Sequence, residues 1–382
     1  MSIAFPCMQY QAPFPLKRLN PALLSLIFAA TCMADNNSGN ASPAPKAGTI
    51  RESTVRTYAV RQTVELRDIP QDAKKVRLWL SIPGDASEQR VMDIGVVDVP
   101  GSWRLVREAG HGNQFLYTEV EKPTKSTLKA VVDFTVRRQS VFFDLDPLLA
   151  KPLSESQRRL FAEELRLDAP HMEVTETISK IARETCGDLS NPIEQARKLL
   201  NYVAENADHY SKDPSKPKCG VGDAANCMMN GGGCCTDLHS LFIALARARG
   251  IPARLQMGYR LQAKNEGFEA DPGYRCWPEY FVAGYGWVSA DIVEADAAEG
   301  ESRVQWLSGL NERRVHLNEG RNFLLTPRQE GGPVNTMIIG YAEIDGVAAR
   351  VLPEGEKQPQ LARTVLFKEI PSGALAENSR AK

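Results

Sequence analysis

In the stretch Asn230-Gly-Gly-Gly-Cys-Cys-Thr-Asp-Leu-His239, a run of glycines leads into two cysteines, and an apolar segment follows. Apolar residues at helical spacing predict a helix from about Cys235 to Arg249, which Gly250 and Pro252 end. Cys235 then lies in the first turn, where free N–H groups and the helix dipole lower the pKa of a thiol. The glycine run lets the backbone approach a substrate, and N–H groups beside the cysteine can bind an oxyanion. This pattern predicts a cysteine nucleophile.

The residues on either side of this helix predict a layered α+β domain. Asn191-Pro-Ile-Glu194 has the N-cap, the first-turn proline and the glutamate of a helix start. After the cysteine helix, apolar patterning predicts strands at about 253–262, 276–282 and 286–291. Helices that lead into an antiparallel sheet differ from the βαβ order of a nucleotide-binding fold.

The preceding region has a different period. From Tyr58 to about Asp144 apolar and polar residues alternate, which is typical of strands buried on one face. About ninety residues of such strands pack as an antiparallel β-sandwich. The predicted fold class is therefore α+β, with an N-terminal antiparallel β-sandwich-like domain followed by an α+β domain.

Four segments resemble the bacterial transglutaminase-like superfamily in order and spacing. They are Cys235-Thr-Asp-Leu-His-Ser-Leu-Phe242, Gly250-Ile-Pro-Ala-Arg254, Cys276-Trp-Pro-Glu-Tyr280, and Gly284-Tyr-Gly-Trp-Val288 with Asp291. The resemblance covers about residues 185–345 and takes Gly320-Arg-Asn322 and Tyr341-Ala-Glu-Ile-Asp-Gly346 as the last strands of the domain. It implies a papain-like α+β domain with a Cys-His-Asp triad that hydrolyses or transfers amides, often behind a β-rich domain.

The resemblance assigns two triad residues and leaves the third in question. Cys235 matches the nucleophile and Asp291 the carboxylate, whereas Arg275 occupies the histidine position directly before Cys276-Trp277. A guanidinium has no free lone pair and cannot accept the thiol proton. His239 follows Cys235 by four residues on the same helix face, so it is either a surrogate base or a packing residue.

Another residue that differs from the family pattern, and three polar residues near the site, are interpreted as structural. Asn322 stands where the family usually has aspartate, at a predicted pairing position. Asp237 is interpreted as a residue that complements the helix dipole. His209, before the glycine loop, is predicted to lie at the surface, and Glu279 is predicted to form a salt bridge.

The cysteines and the charge exclude other classes of function. No Cys-x-x-Cys pair occurs, so neither a metal nor a cofactor is predicted. A disulfide from Cys219 to Cys227 or Cys234, a redox pair of Cys234 with Cys235, and buried thiols remain open. Since 46 Lys and Arg face 47 Asp and Glu, the net charge of −1 argues against nucleic-acid binding.

The N-terminal residues predict export. Lys17 and Arg18 precede the apolar run Pro21-Ala-Leu-Leu-Ser-Leu-Ile-Phe-Ala-Ala30, which is typical of a secretory signal. Ala29-Ala-Thr-Cys32 resembles a lipobox, and cleavage after Ala34 is the alternative. The protein is therefore expected to be periplasmic or to be a lipoprotein anchored to a membrane through Cys32.

These observations divide the chain and leave two functions open. The predicted units are a signal peptide (1–34), a tether (35–52), a β-rich domain (53–145), a connector (146–172), a transglutaminase-like domain (173–347) and a tail (348–382). The first function is amide hydrolysis or acyl transfer at Cys235 on polypeptide or peptidoglycan-like substrates, impaired by Arg275. The alternative is a non-catalytic envelope protein that binds a peptide or glycan in the same cleft, or one that only makes structural contacts.

Overall fold

A computed structural model describes residues 53–218, 221–268, 275–337, 339–351 and 357–371. The first part of the chain forms six antiparallel strands. They are β1 (Val55–Leu66), β2 (Lys75–Ile82), β3 (Gln89–Asp98), β4 (Ser102–Arg107), β5 (Gln114–Glu121) and β6 (Leu128–Gln139). The signal peptide, Cys32 and the tether lie outside the described residues.

Two sheets divide these strands between them. One has the order β17-β1-β6-β3 and the other β16-β15-β2-β5-β4, with β15 (Tyr341–Ile344), β16 (Val347–Ala348) and β17 (Leu361–Ile370) from the C-terminal part. Alternate residues of β1 point inward, so Val64 and Leu66 pair with Ala130 and Leu128 of β6 and are buried with them. The predicted antiparallel β domain is confirmed.

The end of the chain differs from the prediction in two ways. Tyr341–Ile344 pairs with β2 of the first domain, so it is not a last strand of the second domain. Leu361–Ile370, expected to be a weakly patterned tail, pairs with β1 along its whole length. Leu361, Val365 and Phe367 are buried, so this edge strand adds to the core of the sandwich.

The second part of the chain packs helices on an antiparallel sheet of order β12-β11-β10-β14. Its helices are α1 (Glu155–Leu160), α2 (Glu176–Cys186), α3 (Pro192–Asn206), α4 (Ala224–Asn230), α5 (Cys235–Ala248), α6 (Ile292–Asp296) and α7 (Gly300–Trp306). The four sheet strands are β10 (Ala253–Arg260), β11 (Arg275–Val282), β12 (Gly286–Ser289) and β14 (Arg314–Glu319). Short strands are β7 (Val141–Phe142), β8 (Asp208–His209), β9 (Gly232–Gly233) and β13 (Gly309–Leu310).

Helix α5 lies at the centre of this layer. Its residues are buried from Cys235 to Arg247, and Phe242 packs edge-on against Tyr280 of β11 with ring centroids 5.8 Å apart. Helix α3 begins as predicted, since the Asn191 side chain accepts a hydrogen bond from the Ile193 N–H at 3.0 Å. The predicted α+β architecture is confirmed, and it holds the start of α5 against β11.

His316 of β14 gives the fold a specific pH dependence. Burial lowers its pKa to about 4, the nearby Glu279 raises it, and Arg138 and Arg254 lower it. Neither ring nitrogen has a hydrogen-bond partner. In the unfolded chain, His316 is protonated below about pH 6.5, whereas in the folded chain it is protonated only below about pH 4. The free energy of unfolding therefore decreases as the pH falls from about 6.5 to about 4.

We expect the free energy of unfolding to drop by about 2 kcal/mol from this residue between about pH 7.5 and pH 5. Urea unfolding of the wild type and of His316→Gln at both pH values measures it, because glutamine cannot titrate. The same pH slope in both proteins would contradict the assignment.

Candidate active site

The start of helix α5 holds Cys235 at the edge of a tightly packed glycine loop. Cys235 is the first helical residue, so its N–H is one of those without a carbonyl partner inside the helix. Gly232 and Gly233 pair in parallel with Asp208 and His209. A Cβ atom at Gly232 would lie 2.1 Å from the Asp208 carbonyl oxygen, so only glycine allows this approach. The loop thereby fixes the position of Cys235.

Asp237 holds the same loop from inside. Its carboxylate accepts hydrogen bonds from the Cys234 N–H and the Asp223 N–H, both at 2.9 Å. Burial raises the pKa of Asp237 to about 7. The residue that the sequence assigned to the helix dipole thus also joins the two segments that precede the nucleophile position.

Cys276 points from β11 toward the start of α5. Its Sγ lies 3.3 Å from His239 Nδ1 and 3.5 Å from Thr236 Oγ1, and its thiol is hydrogen-bonded to that of Cys235. Tyr280 of the same strand faces α5, and strand residues two apart share a face. The phase of β11 therefore turns Cys276 inward, into the space between Cys235 and His239.

His239 is a hydrogen-bond donor to this sulfur. Its Nε2 accepts a hydrogen bond from the Ile292 N–H at 3.2 Å, so that nitrogen carries a lone pair and the ring proton lies on Nδ1. Nδ1 then donates to Cys276 Sγ. The imidazole that the sequence placed within reach of Cys235 is thus hydrogen-bonded to Cys276.

The two thiols have opposite pKa shifts. Burial raises the pKa of Cys276, but its hydrogen bond with Cys235, the electrostatic effect of His239 and the hydrogen bonds with His239 and Thr236 together lower it to about 6. Hydrogen bonds with Cys234 and Cys276, together with burial, raise the pKa of Cys235. The raised pKa of Cys235 does not support the expectation of a thiolate there, because its burial and its hydrogen bonds with two neighbouring thiols oppose ionisation.

Asp291 lies behind His239 and is part of a buried ion network. Its Oδ1 is 3.9 Å from His239 Nε2, and its Oδ2 is 2.8 Å from Arg314 Nη2. Arg314 also lies 2.7 Å from Glu294 Oε1. Burial opposes the charge of Asp291, but Arg314 and His239 lower its pKa below the usual range. The carboxylate thus stays charged inside the domain.

Arg275 lies at the start of β11, half-buried. Burial lowers the pKa of His209, and the positive charge of Arg275 contributes to lowering it further. His209 is itself 9% exposed, so the expectation of a surface histidine is wrong: its pairing with Gly233 carries it inward. The geometry brings Cys235, Cys276, His239 and Asp291 together.

Arg321 fastens the segment before α4 and was missed by the sequence reasoning. Its guanidinium donates to the carbonyl oxygens of Gly222 and Val221, both at 2.6 Å, and to Ser240 Oγ at 2.9 Å. Asn322, the predicted pairing position, bonds through its N–H to the Asn335 carbonyl at 3.3 Å. The structural pairing thus belongs mainly to Arg321.

Cys276 and Arg314 were also missed as site residues. The signal for Cys276 was available in the alternation of β11, whose residues 276, 278 and 280 share a face. No local pattern identifies Arg314, because its partners Asp291 and Glu294 lie 23 and 20 residues earlier in the chain. Glu279, as predicted, forms a salt bridge, with Arg254 at 2.8 Å.

Besides Cys235 and Cys276, the structure describes three cysteines. Cys186, Cys227 and Cys234 are buried thiols, and Cys219, the predicted disulfide partner of Cys227 or Cys234, lies outside the described residues. Within the described ranges, no group of three His, Cys, Asp or Glu side chains is arranged to hold a metal ion. None of the helices described above has the length and apolar character needed to cross a membrane.

Comparison with known proteins shows what this part of the chain is similar to. Residues 179–292 match the model of the transglutaminase-like superfamily. An uncharacterized protein of Haemophilus influenzae is 27% identical over 327 residues, which is 76% of this chain and 86% of that protein. A solved structure of a candidate cysteine protease from Cytophaga hutchinsonii is similar in fold, with a TM-score of 0.51 and 14% identity over 83% of this chain and 99% of that one.

The matched segment runs from residue 179 in helix α2 to Ile292 and includes Cys235, Cys276 and Asp291. Residues 179–292 thus form a transglutaminase-like domain.

Proposed function

We propose that the protein is a cysteine-dependent acyl-transfer enzyme that forms an acyl-thioester at Cys235 and hydrolyses or transfers amides. The observation that carries the proposal is the chain of hydrogen bonds from Cys235 through Cys276 to His239, with Asp291 behind it. The hydrogen-bonded chain ends at His239, and the charged carboxylate of Asp291 lies 3.9 Å from its Nε2, close to the imidazole as in the triad of a cysteine nucleophile.

Cys276 is the proposed proton acceptor in this relay. Attack of the Cys235 sulfur on a carbonyl carbon forms the C–S bond while its proton passes to the Cys276 thiolate. The same proton then moves from Cys276 to the nitrogen of the leaving amine as the C–N bond breaks. A group with a pKa of about 6 suits both steps near neutral pH, because it is readily deprotonated and is still an effective acid. Arg275 can neither accept the thiol proton nor return it to the amine, because its guanidinium has no free lone pair.

His239 and Asp291 are proposed as positioning residues. The Nδ1–H of His239 donates to Cys276 and stabilises its thiolate, and the Ile292 N–H fixes the tautomer. Asp291 lies close to the imidazole and stays charged through Arg314. The Cys235 N–H, at the first position of α5, is proposed to bind the oxyanion that forms beside it.

Substrates are proposed to be polypeptides or cell-wall peptides outside the cytoplasm. The basic start and apolar run up to Ala30 support export, and Ala29-Ala-Thr-Cys32 supports a lipid at Cys32. The mass of the N-terminal peptide of the mature protein tests this, since it distinguishes an acylated Cys32 from cleavage after Ala34.

Intact mass spectrometry after reaction with p-nitrophenyl acetate tests the nucleophile. We expect one acetyl group on the wild type, located at Cys235 by tandem mass spectrometry, and none at that position in Cys235→Ala. Cys234→Ser is the matched control, because serine is a favourable N-cap residue and Cys235 is retained. Acetylation that persists in Cys235→Ala, at Cys276 or elsewhere, would exclude Cys235 as the nucleophile.

The burial of the site favours a second function, in which the same cleft binds a peptide or glycan without reaction. Cys235 is 4% exposed and Asp291 2% exposed. In that case Cys235→Ala should leave the affinity for a peptide or glycan ligand unchanged, and Arg275→Ala should weaken it, as isothermal titration would measure. Loss of affinity only in Cys235→Ala would contradict this alternative.

A further inference from the structure

The thiols of Cys235 and Cys276 form a pair that reaches across two elements. Cys235 begins α5 and Cys276 is the second residue of β11, and the two are hydrogen-bonded. The Cys276 sulfur is also hydrogen-bonded to His239 Nδ1 at 3.3 Å and to Thr236 Oγ1 at 3.5 Å. An ordinary buried thiol such as Cys186 on α2 has a different setting, in which burial alone is the main influence and raises its pKa.

We propose that Cys235 and Cys276 are a redox pair that a hydroperoxide oxidises to a disulfide, which reversibly closes the site. The oxidation depends only on the two thiols. Its effect on turnover rests on the proposed function. A disulfide here would consume both the nucleophile and the proton acceptor in one step. It would also covalently join the helix to the sheet.

The reaction balances with hydrogen peroxide as the oxidant. The Cys276 thiolate attacks one peroxide oxygen, the O–O bond breaks, and hydroxide leaves, which gives a sulfenic acid at Cys276. The Cys235 sulfur then attacks that sulfur, the S–S bond forms, the S–O bond breaks, and the proton of Cys235 leaves with the oxygen as water. Two thiols lose two electrons and the peroxide gains them. The lowered pKa of Cys276 makes it the first thiol to react.

Burial determines which oxidant can act. Cys235 is 4% exposed and Cys276 1% exposed, so a small oxidant can reach either sulfur more easily than a large one. Hydrogen peroxide is close to water in size, whereas oxidised glutathione must bring a whole peptide-linked disulfide into line with the attacking sulfur. Peroxide should therefore form the bond at least about tenfold faster than oxidised glutathione at equal concentration.

Peptide mapping of the full chain tests the pair. After treatment with hydrogen peroxide, we expect a disulfide between the tryptic peptide that contains Cys235 and the tryptic peptide that begins at Cys276. Dithiothreitol should reduce this disulfide. The matched variants are Cys235→Ser and Cys234→Ser, which change adjacent residues at the same helix start. The cross-link should be absent in the first and retained in the second.

Three results would overturn the proposal: a Cys234–Cys235 disulfide, a cross-link that survives in Cys235→Ser, or overoxidation of Cys276 without any cross-link.

The mapping needs no substrate, so its failure is separable from that of the proposed function. If acetylation of Cys235 occurs but no cross-link forms, the redox pair fails alone. If the cross-link forms but no acetylation occurs, acyl transfer fails alone. Where both occur, peroxide should abolish acetylation and dithiothreitol should restore it.

Discussion

Cys276→Ala is expected to lower amide turnover by about 10²–10⁴-fold, the usual contribution of general acid–base catalysis. The measurement is hydroxamate formation from a glutamine-containing peptide with hydroxylamine as the acceptor. The loss should be much smaller with p-nitrophenyl acetate, because p-nitrophenolate leaves without a proton whereas an amine must receive one. Removing Cys276 also removes a hydrogen bond that raises the pKa of Cys235, which favours the ester reaction.

The pH profile separates a proton carrier from a packing residue. Cys276 must be a thiolate to accept the proton, so the amide rate of the wild type should rise with pH through about 6. This limb should disappear in Cys276→Ala. Cys186→Ala, which removes another buried thiol, on helix α2, should keep both the limb and the ratio of amide to ester rates. Equal losses on amide and ester, with the limb intact, would show that Cys276 only fills space.

Arg314→Met should destabilise the folded chain by about 3–5 kcal/mol at neutral pH, the usual cost of leaving a buried charge without its partner. Arg314 is 1% exposed and holds Asp291 at 2.8 Å and Glu294 at 2.7 Å, while Arg260 can still pair with Glu294. The uncompensated charge is then mainly that of Asp291. Urea unfolding measures the change in the free energy of unfolding.

The pH dependence of this loss has a definite sign. Arg314 lowers the pKa of Asp291 against the effect of burial, so the stabilisation is present above the ordinary carboxyl pKa and is lost as the pH falls. The difference between the wild type and Arg314→Met should therefore shrink in acid. Arg313→Met is the matched control: its nearest carboxylates, of Glu312 and Glu369, lie 3.8 Å away, and it should cost about 1 kcal/mol or less. Equal losses in both variants would argue against the Asp291 ion pair.

Local patterns were enough for most elements of the fold. The spacing from Leu238 to Leu245 predicted helix α5, and Asn191-Pro192 predicted the start of α3, because helix periodicity and caps depend on residues within one or two turns. The same patterns failed for Tyr341–Ile344 and Leu361–Ile370, whose partners lie more than two hundred residues away in β2 and β1. Strand pairing at that distance leaves no local signal.

Local patterns in the sequence predicted a helix that begins at Cys235 after three glycines, a following strand with Cys276-Trp277, and Asp291 after that strand. Which side chains contact Cys235 depends on how the helix and the strand pack. Packing of Tyr280 on Phe242 sets the phase of β11, and since strand side chains alternate between faces, that contact turns Cys276 toward Cys235 and His239. The ion pair of Asp291 with Arg314 likewise depends on two strands meeting in space, which no short-range pattern encodes.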